Sequence, residues 1–201
     1  MNNIHGHNLL IKYMMTNHHN FSSKNIIEVG TTREKFSNQS STVKISKACN
    51  SLGLGFTTVD MDPENTEVAS KDLHNVNPNH RAVTSKGEDF LGSYKGQISM
   101  LYLDAFDTVL GVNHHSSKRK KSYEENLNCD ITNELCWKMH LDCCLHAEDK
   151  IELGGFICID DIYNDEDYFG KGKTAIPYLL GTGKYNIVEY MPDAIILKRI
   201  K

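Results

Sequence analysis

The chain has 201 residues, 39% hydrophobic and 24% charged, long enough for one domain to bury a core without disulfides or a structural metal. Its 22 Lys+Arg against 26 Asp+Glu give a net charge of −4, which excludes a general nucleic-acid or anionic-membrane binder, because both need a basic face. No apolar run is long enough to span a bilayer, and residues 1–20 lack the apolar stretch and cleavage site of a signal peptide. The six cysteines form no CxxC, and adjacent Cys143 and Cys144 make a poor disulfide, so reduced thiols in a cytoplasmic protein are expected.

Residues 4–15 are weakly amphipathic and read as a short helix outside the main fold, within an N-terminal extension of residues 1–23. An alternating pattern then runs to the C-terminus, defining one domain over 24–201. Residues 25–29 are a short apolar strand closed by Gly30, and 41–52 a helix with Val43, Ile45, Ala48, Cys49 and Leu52 near one face. A β-branched strand at 55–59 ends in Asp60, and Pro63 opens the next helix. A strand at 80–84 leads to a helix-like 88–93, and the apolar run 98–103 ends in Asp104. Residues 108–130 have no clear period and read as a lid-like insertion. A long helix is expected over 131–153, stopped by Gly154 and Gly155, followed by a buried strand at 156–159 ending in Asp160 and Asp161. A short helix at 174–180 precedes a terminal hairpin of 185–190 and 194–198. Such alternation predicts an α/β fold with a mostly parallel sheet covered on both faces and an antiparallel element at one edge.

In an open parallel sheet, ligands bind at the carboxyl ends of the strands, where strand order reverses. Asp60, Asp104 and the Asp160–Asp161 pair stand directly after strands, and Glu88 and Asp89 follow a third strand after a short turn. Gly30 permits a tight turn, but GxGxxG and a Walker lysine are both missing, so an ordinary turn and a ligand site are equally open there. Asp60 suits the two hydroxyls of a ribose, whereas Asp62 fits a helix cap better. Glu88 suits either an adenine amino group or simple helix-dipole complementarity. Asp104, Asp160 and Asp161 would repel one another without a cation: either Mg²⁺ or a similar divalent ion, or lysines such as Lys171 and Lys173. Among the histidines, His140 stands out because its helix leads into the Asp160 strand, while His146, His114 and His115 read as surface residues. The Lys118–Lys121 run reads as a solvated loop and Cys143–Cys144 as a buried helix face.

The ordered set Ile26-Ile-Glu28-Val-Gly30, Thr58-Val-Asp60-Met-Asp62-Pro63, Gly87-Glu88-Asp89-Phe90, Leu103-Asp104 and Gly154-Gly155-Phe-Ile-Cys-Ile-Asp160-Asp161 resembles class I S-adenosylmethionine-dependent methyltransferases over roughly residues 24–200. The acid after strand four and the acid pair after strand five resemble the divalent-metal O-methyltransferases of sugar, macrolide and catechol type. The resemblance implies a Rossmann-like, doubly wound sheet of about seven strands whose last strand is antiparallel. It also implies that Glu28 and Gly30 line the methionine end of the cofactor with Thr31, that Asp60 with Met61 holds the ribose, and that Glu88 lies near adenine. Asp104 would serve cofactor and metal alike, completing a Mg²⁺ site with Asp160 and Asp161. The chain departs from that pattern at Thr31, Thr32 and Arg33, and at Ala105 and Asp107.

The expected activity is methyl transfer to a hydroxyl of a small polar acceptor such as a sugar or diol, with Asp107 or His140 as base and no nucleic-acid or membrane partner; homo-oligomerisation is compatible with it. The alternatives are a catalytically inactive adenosyl-cofactor-binding protein or partner subunit and, less in keeping with the missing GxGxxG, a nicotinamide oxidoreductase.

Overall fold

Seven strands form a single sheet in the order β3-β2-β1-β4-β5-β7-β6: β1 (Asn25–Val29), β2 (Gly55–Asp60), β3 (Arg81–Thr84), β4 (Ile98–Leu103), β5 (Ile151–Asp160), β6 (Tyr185–Tyr190) and β7 (Ala194–Arg199). The computed structural model describes residues 5–32, 40–106, 121, 123–126, 128–162 and 170–201. Strands β1 to β5 pair in parallel, while β7 runs antiparallel between β5 and β6. The expected terminal hairpin is thus present, and β7 places its partner β6 at the sheet edge.

Two-residue periodicity sorts the strands' side chains onto two faces. Ile27, Val29, Leu101, Leu103, Ile157 and Ile159 face one side, with Leu91 of α4 (Gly87–Ser93), Cys143 and Cys144 of α5 (Asn133–Ala147), and Ile176 and Leu179 of α6 (Ala175–Gly181). Ile26, Phe56, Met100, Tyr102, Phe156 and Cys158 face the other. There they meet Leu9, Leu10 and Met14 of α1 (Gly6–Asn17), Ile45 and Cys49 of α2 (Ser41–Leu52), and Leu73 of α3 (Pro63–Val76). The three α1 side chains are at most 1% exposed and together build that helix into the core, each contributing about 2 kcal/mol of burial.

The long helix expected over 131–153 is shorter. It is capped by the Thr132 hydroxyl, which accepts from Leu135 N, and ends at Ala147. Residues 148–150 turn, and Ile151 already pairs with Ile98 in β5. Gly154 and Gly155 are therefore not a helix stop; they sit where the register between β4 and β5 shifts. The four-residue spacing of apolar positions misled here because Ile151 continues the stripe by coincidence. Asp62 does cap α3, accepting from Glu64 N at 2.9 Å, with Pro63 at the first helical position.

Strand order reverses between β1 and β4, so the topological switch point lies beside Gly30 and Asp104. No helix of the described residues is long and apolar enough to cross a membrane.

Candidate functional site

The chain leaves β1 through Gly30 at φ 101°, a conformation that side chains rarely adopt. A Cβ there would lie 2.5 Å from the Asp104 carbonyl oxygen and 2.6 Å from Ala105 N. Glycine is thus required by the backbone leaving β4 across the switch point. The next residue, Thr31, is buried; its N–H donates to Asp60 Oδ2 at 3.1 Å, and its hydroxyl meets that of Thr58 at 2.8 Å. Asp60 Oδ1 accepts from Asp62 N at 2.8 Å and from Asn65 Nδ2 at 3.3 Å. The carboxylate proposed for a ribose therefore already ties the loop after β1 to the loop after β2, with half-buried Met61 between Asp60 and Asp62.

Glu28 lies fully buried beneath this turn. Register places it opposite Thr58, and α2 opens against it with Ser41 and Thr42. Its carboxylate accepts from Ser41 Oγ at 2.8 Å, Thr42 Oγ1 at 2.7 Å and Thr58 Oγ1 at 2.6 Å. Burial outweighs these three neutral donors and pushes its pKa up to about 7, the charge of Asp104 adding to the rise. Glu88 stands half-buried in the first turn of α4, on the far side of β1.

The three acids expected to share a metal lie near one another but take different partners: the Tyr102 hydroxyl that bonds Asp160 Oδ2 also lies 3.5 Å from Asp104 Oδ2. Asp160 closes β5 on the parity of Phe156 and Cys158, so it faces α1. Its Oδ1 accepts from Gly6 N at 3.1 Å, at the start of α1, and from Asp161 N at 3.0 Å, while Oδ2 accepts from the Tyr102 hydroxyl. Burial, followed by the charges of Asp104 and Asp161, pushes its pKa up to about 8. Asp104 and Asp161 instead share the ammonium of Lys171, whose Nζ lies 2.8 Å from Asp104 Oδ1 and 2.8 Å from Asp161 Oδ2. Burial alone would lower this lysine, but the two carboxylates prevail and hold it protonated well above the usual range.

The donor set therefore does not fit a divalent ion as arranged: the point between Asp104 and Asp161 is taken by an ammonium, and Asp160 is engaged by Gly6 N, Asp161 N and the Tyr102 hydroxyl. Among the described residues no group of three or more His, Cys, Asp or Glu is arranged to hold a metal. The expected three-carboxylate Mg²⁺ site thus finds no support in this arrangement. Strand alternation is the physical reason, because it sends consecutive acids to different neighbours.

Lys171 arrives on a 3-10 turn, Gly170–Gly172, that sequence reading treated only as a source of possible pairing partners. The Gly-Lys-Gly signature was the available signal. Gly170 has φ 45°, and a Cβ on it would lie 2.1 Å from the Asp161 carbonyl oxygen, so the turn packs directly on the end of β5. Trp137 Nε1 donates to the Gly170 carbonyl at 3.0 Å, which anchors the turn to α5. Asp161 (φ 52°) and Phe106 (φ 59°) are non-glycine residues in the left-handed region, both just beyond strand ends at this edge. Phe106 packs edge-on against Tyr123 at 4.7 Å.

His140, buried on α5, donates from Nδ1 to the Cys136 carbonyl at 2.8 Å, which leaves Nε2 as the bare acceptor. Among the described residues Nε2 has no partner. Burial first, and then the Lys171 charge, pushes its pKa down to about 3, so the ring is neutral. The other candidate base, Asp107, lies outside the described residues, as does most of the 108–130 insertion. All six cysteines are free thiols, and all but Cys129 are buried.

No protein-family model matches the chain, and no curated protein is similar to it in sequence. Solved structures do share its fold. The O-methyltransferase NovP superposes with a TM-score of 0.61 at 11% identity, over 96% of this chain and 77% of that one. A structure described as an rRNA methylase from Clostridium thermocellum gives a TM-score of 0.57 at 12% identity, over 100% of both chains. An O-methyltransferase from Bacillus cereus in complex with SAH gives 0.51 at 14% identity, over 98% of this chain and 80% of that one. The sheet and its flanking helices are thus those of the Rossmann-like methyltransferase fold.

Proposed function

We propose that the chain is an S-adenosylmethionine-dependent methyltransferase that acts on a hydroxyl of a small polar acceptor, such as a sugar or diol. The observation that carries the reading is the switch-point edge, where the Gly30 turn, Glu28, Thr31, Asp60 and Asp104 meet in a fold whose Bacillus cereus neighbour holds SAH. Asp60 offers its carboxylate to the ribose while keeping the Thr31 and Asp62 amides in place. Gly30, Thr31 and Glu28 line the methionine end, with Met61 beside the ribose and Glu88 toward adenine.

When bound, the cofactor supplies a methyl group on a sulfonium. The acceptor oxygen gains the new O–C bond as the S–C bond breaks in line, the sulfur leaves as the neutral thioether, and the hydroxyl proton passes to solvent water. Two buried groups suit that oxygen. Lys171 spends two of its three N–H donors on Asp104 and Asp161, and no other described residue accepts the third. Among the described residues, His140 Nε2 is an acceptor without a donor. A hydroxyl suits either group, since it accepts from an ammonium and donates to an imidazole, and this complementarity supports oxygen as the methylated atom. With its pKa near 3, His140 orients the hydroxyl better than it stores the proton.

The likeness to an rRNA methylase, complete over both chains, favours RNA as a second class of acceptor. The net charge of −4 works against it, because phosphate contacts require a basic face.

Calorimetric titration with S-adenosylhomocysteine tests the reading. Roughly micromolar binding is expected, weakened about tenfold in Asp60→Asn. No binding to the unaltered protein would overturn it.

A further inference from the structure

We propose that Lys171 is the resident cation of the β4–β5 edge, seated where the acid pattern calls for a divalent ion, and that it excludes such an ion from the centre. Two carboxylates from the ends of neighbouring strands must be neutralised to stand together. Here the Lys171 ammonium lies 2.8 Å from each, with only 5% of the lysine side chain exposed.

The seat is built rather than incidental. Lys171 N donates to the Asp161 carbonyl at 3.1 Å, Gly170 packs on that same carbonyl, and Trp137 holds the turn from α5. Thr174 Oγ1 donates to the Trp137 carbonyl at 2.7 Å, and Lys173 Nζ lies over the Trp137 ring at 4.3 Å. The lysine therefore has little room to swing aside, and a second cation within coordination distance of both carboxylates would meet its charge at close range. Asp160 is already engaged by Gly6, Asp161 and Tyr102, whose hydroxyl also lies 3.5 Å from Asp104 Oδ2.

A covalently held cation differs from a bound ion in that chelation cannot remove it and its charge is one rather than two. That the third N–H meets the acceptor oxygen is a consequence that rests on the methyltransferase reading; the exclusion of a divalent ion does not.

Mn²⁺ is the probe, titrated by electron paramagnetic resonance into the full chain, Asp104→Asn, Lys171→Met and Lys171→Met/Asp104→Asn. The unaltered protein should show no Mn²⁺ binding that depends on Asp104. Lys171→Met should gain about tenfold or more in affinity through the Asp104 and Asp161 carboxylates, and the double variant should lose that gain. Mn²⁺ binding to the unaltered protein that Asp104→Asn abolishes overturns the proposal, as does a Lys171→Met protein that folds yet binds no better. If Lys171→Met does not fold, the comparison of the unaltered protein with Asp104→Asn decides alone. S-adenosylhomocysteine titrated into the same samples reports separately: its failure to bind, with the Mn²⁺ pattern as expected, removes the methyltransferase reading and leaves the cation in place.

Discussion

The two sides of the switch point handle their buried acids in opposite ways. On the β1–β2 side, the described partners of Glu28 and Asp60 are uncharged: three hydroxyls around the first, two amide N–H groups and an asparagine around the second. On the β4–β5 side, Asp104 and Asp161 share a buried ammonium, two non-glycine residues take positive φ, and an imidazole nitrogen has no described partner. Neutral donors leave the cost of burying a charge largely uncompensated, so Glu28 rises to about 7, whereas a cation offsets that cost directly. The first side is the one to which the proposed function assigns the cofactor. The second carries strain and unmet valence, which folds retain where they do chemistry.

Gly30 joins the two sides, and Gly30→Ala is the harshest way to break the contrast. The new Cβ would collide with the backbone at Asp104 and force an unfavourable φ, costing about 3 kcal/mol or more in urea unfolding. Glu28→Gln acts on the first side alone. Because the folded pKa of Glu28 is raised from 4.5 to about 7, its stabilising contribution is full below about pH 4.5 and is lost as pH rises through 7. The stability difference between variant and unaltered protein should therefore shift in the variant's favour by up to about 3 kcal/mol between pH 4.5 and pH 7.5, measured by urea unfolding at several pH values.

Lys171→Met acts on the second side. It leaves two partly exposed carboxylates together, and a loss of about 2 kcal/mol is expected, smaller at high salt, read from thermal melts. The mildest change is His140→Phe, which removes one hydrogen bond along with an unpartnered nitrogen and should alter stability by no more than about 1 kcal/mol. A loss of several kcal/mol would mean that Nε2 is satisfied within the protein, and the contrast between the two sides would weaken.

Much of the fold was legible because its signals are local. The apolar runs at β1, β2 and β4, the Asp62–Pro63 helix start and the closing hairpin all appear within windows of a few residues. The end of α5 was misread because Ile151 extends a helical stripe into a strand, and only pairing with Ile98 decides between the two. The carboxyl-edge acids were found for the same local reason, each standing just beyond a strand. Their partners were not found: the start of α1 at Gly6 reaches Asp160 across 154 residues, and Lys171 reaches Asp104 across 67.

By itself, then, the sequence determined the strand–helix alternation, the parallel sheet and the row of acids at its carboxyl edge, since hydrophobic periodicity and strand-end position are properties of neighbouring residues. Tertiary structure decided which acid meets which partner. Alternation sends Asp160 toward α1, while a glycine-bounded turn delivers Lys171 between Asp104 and Asp161, and contacts so distant in sequence leave no periodic trace along the chain.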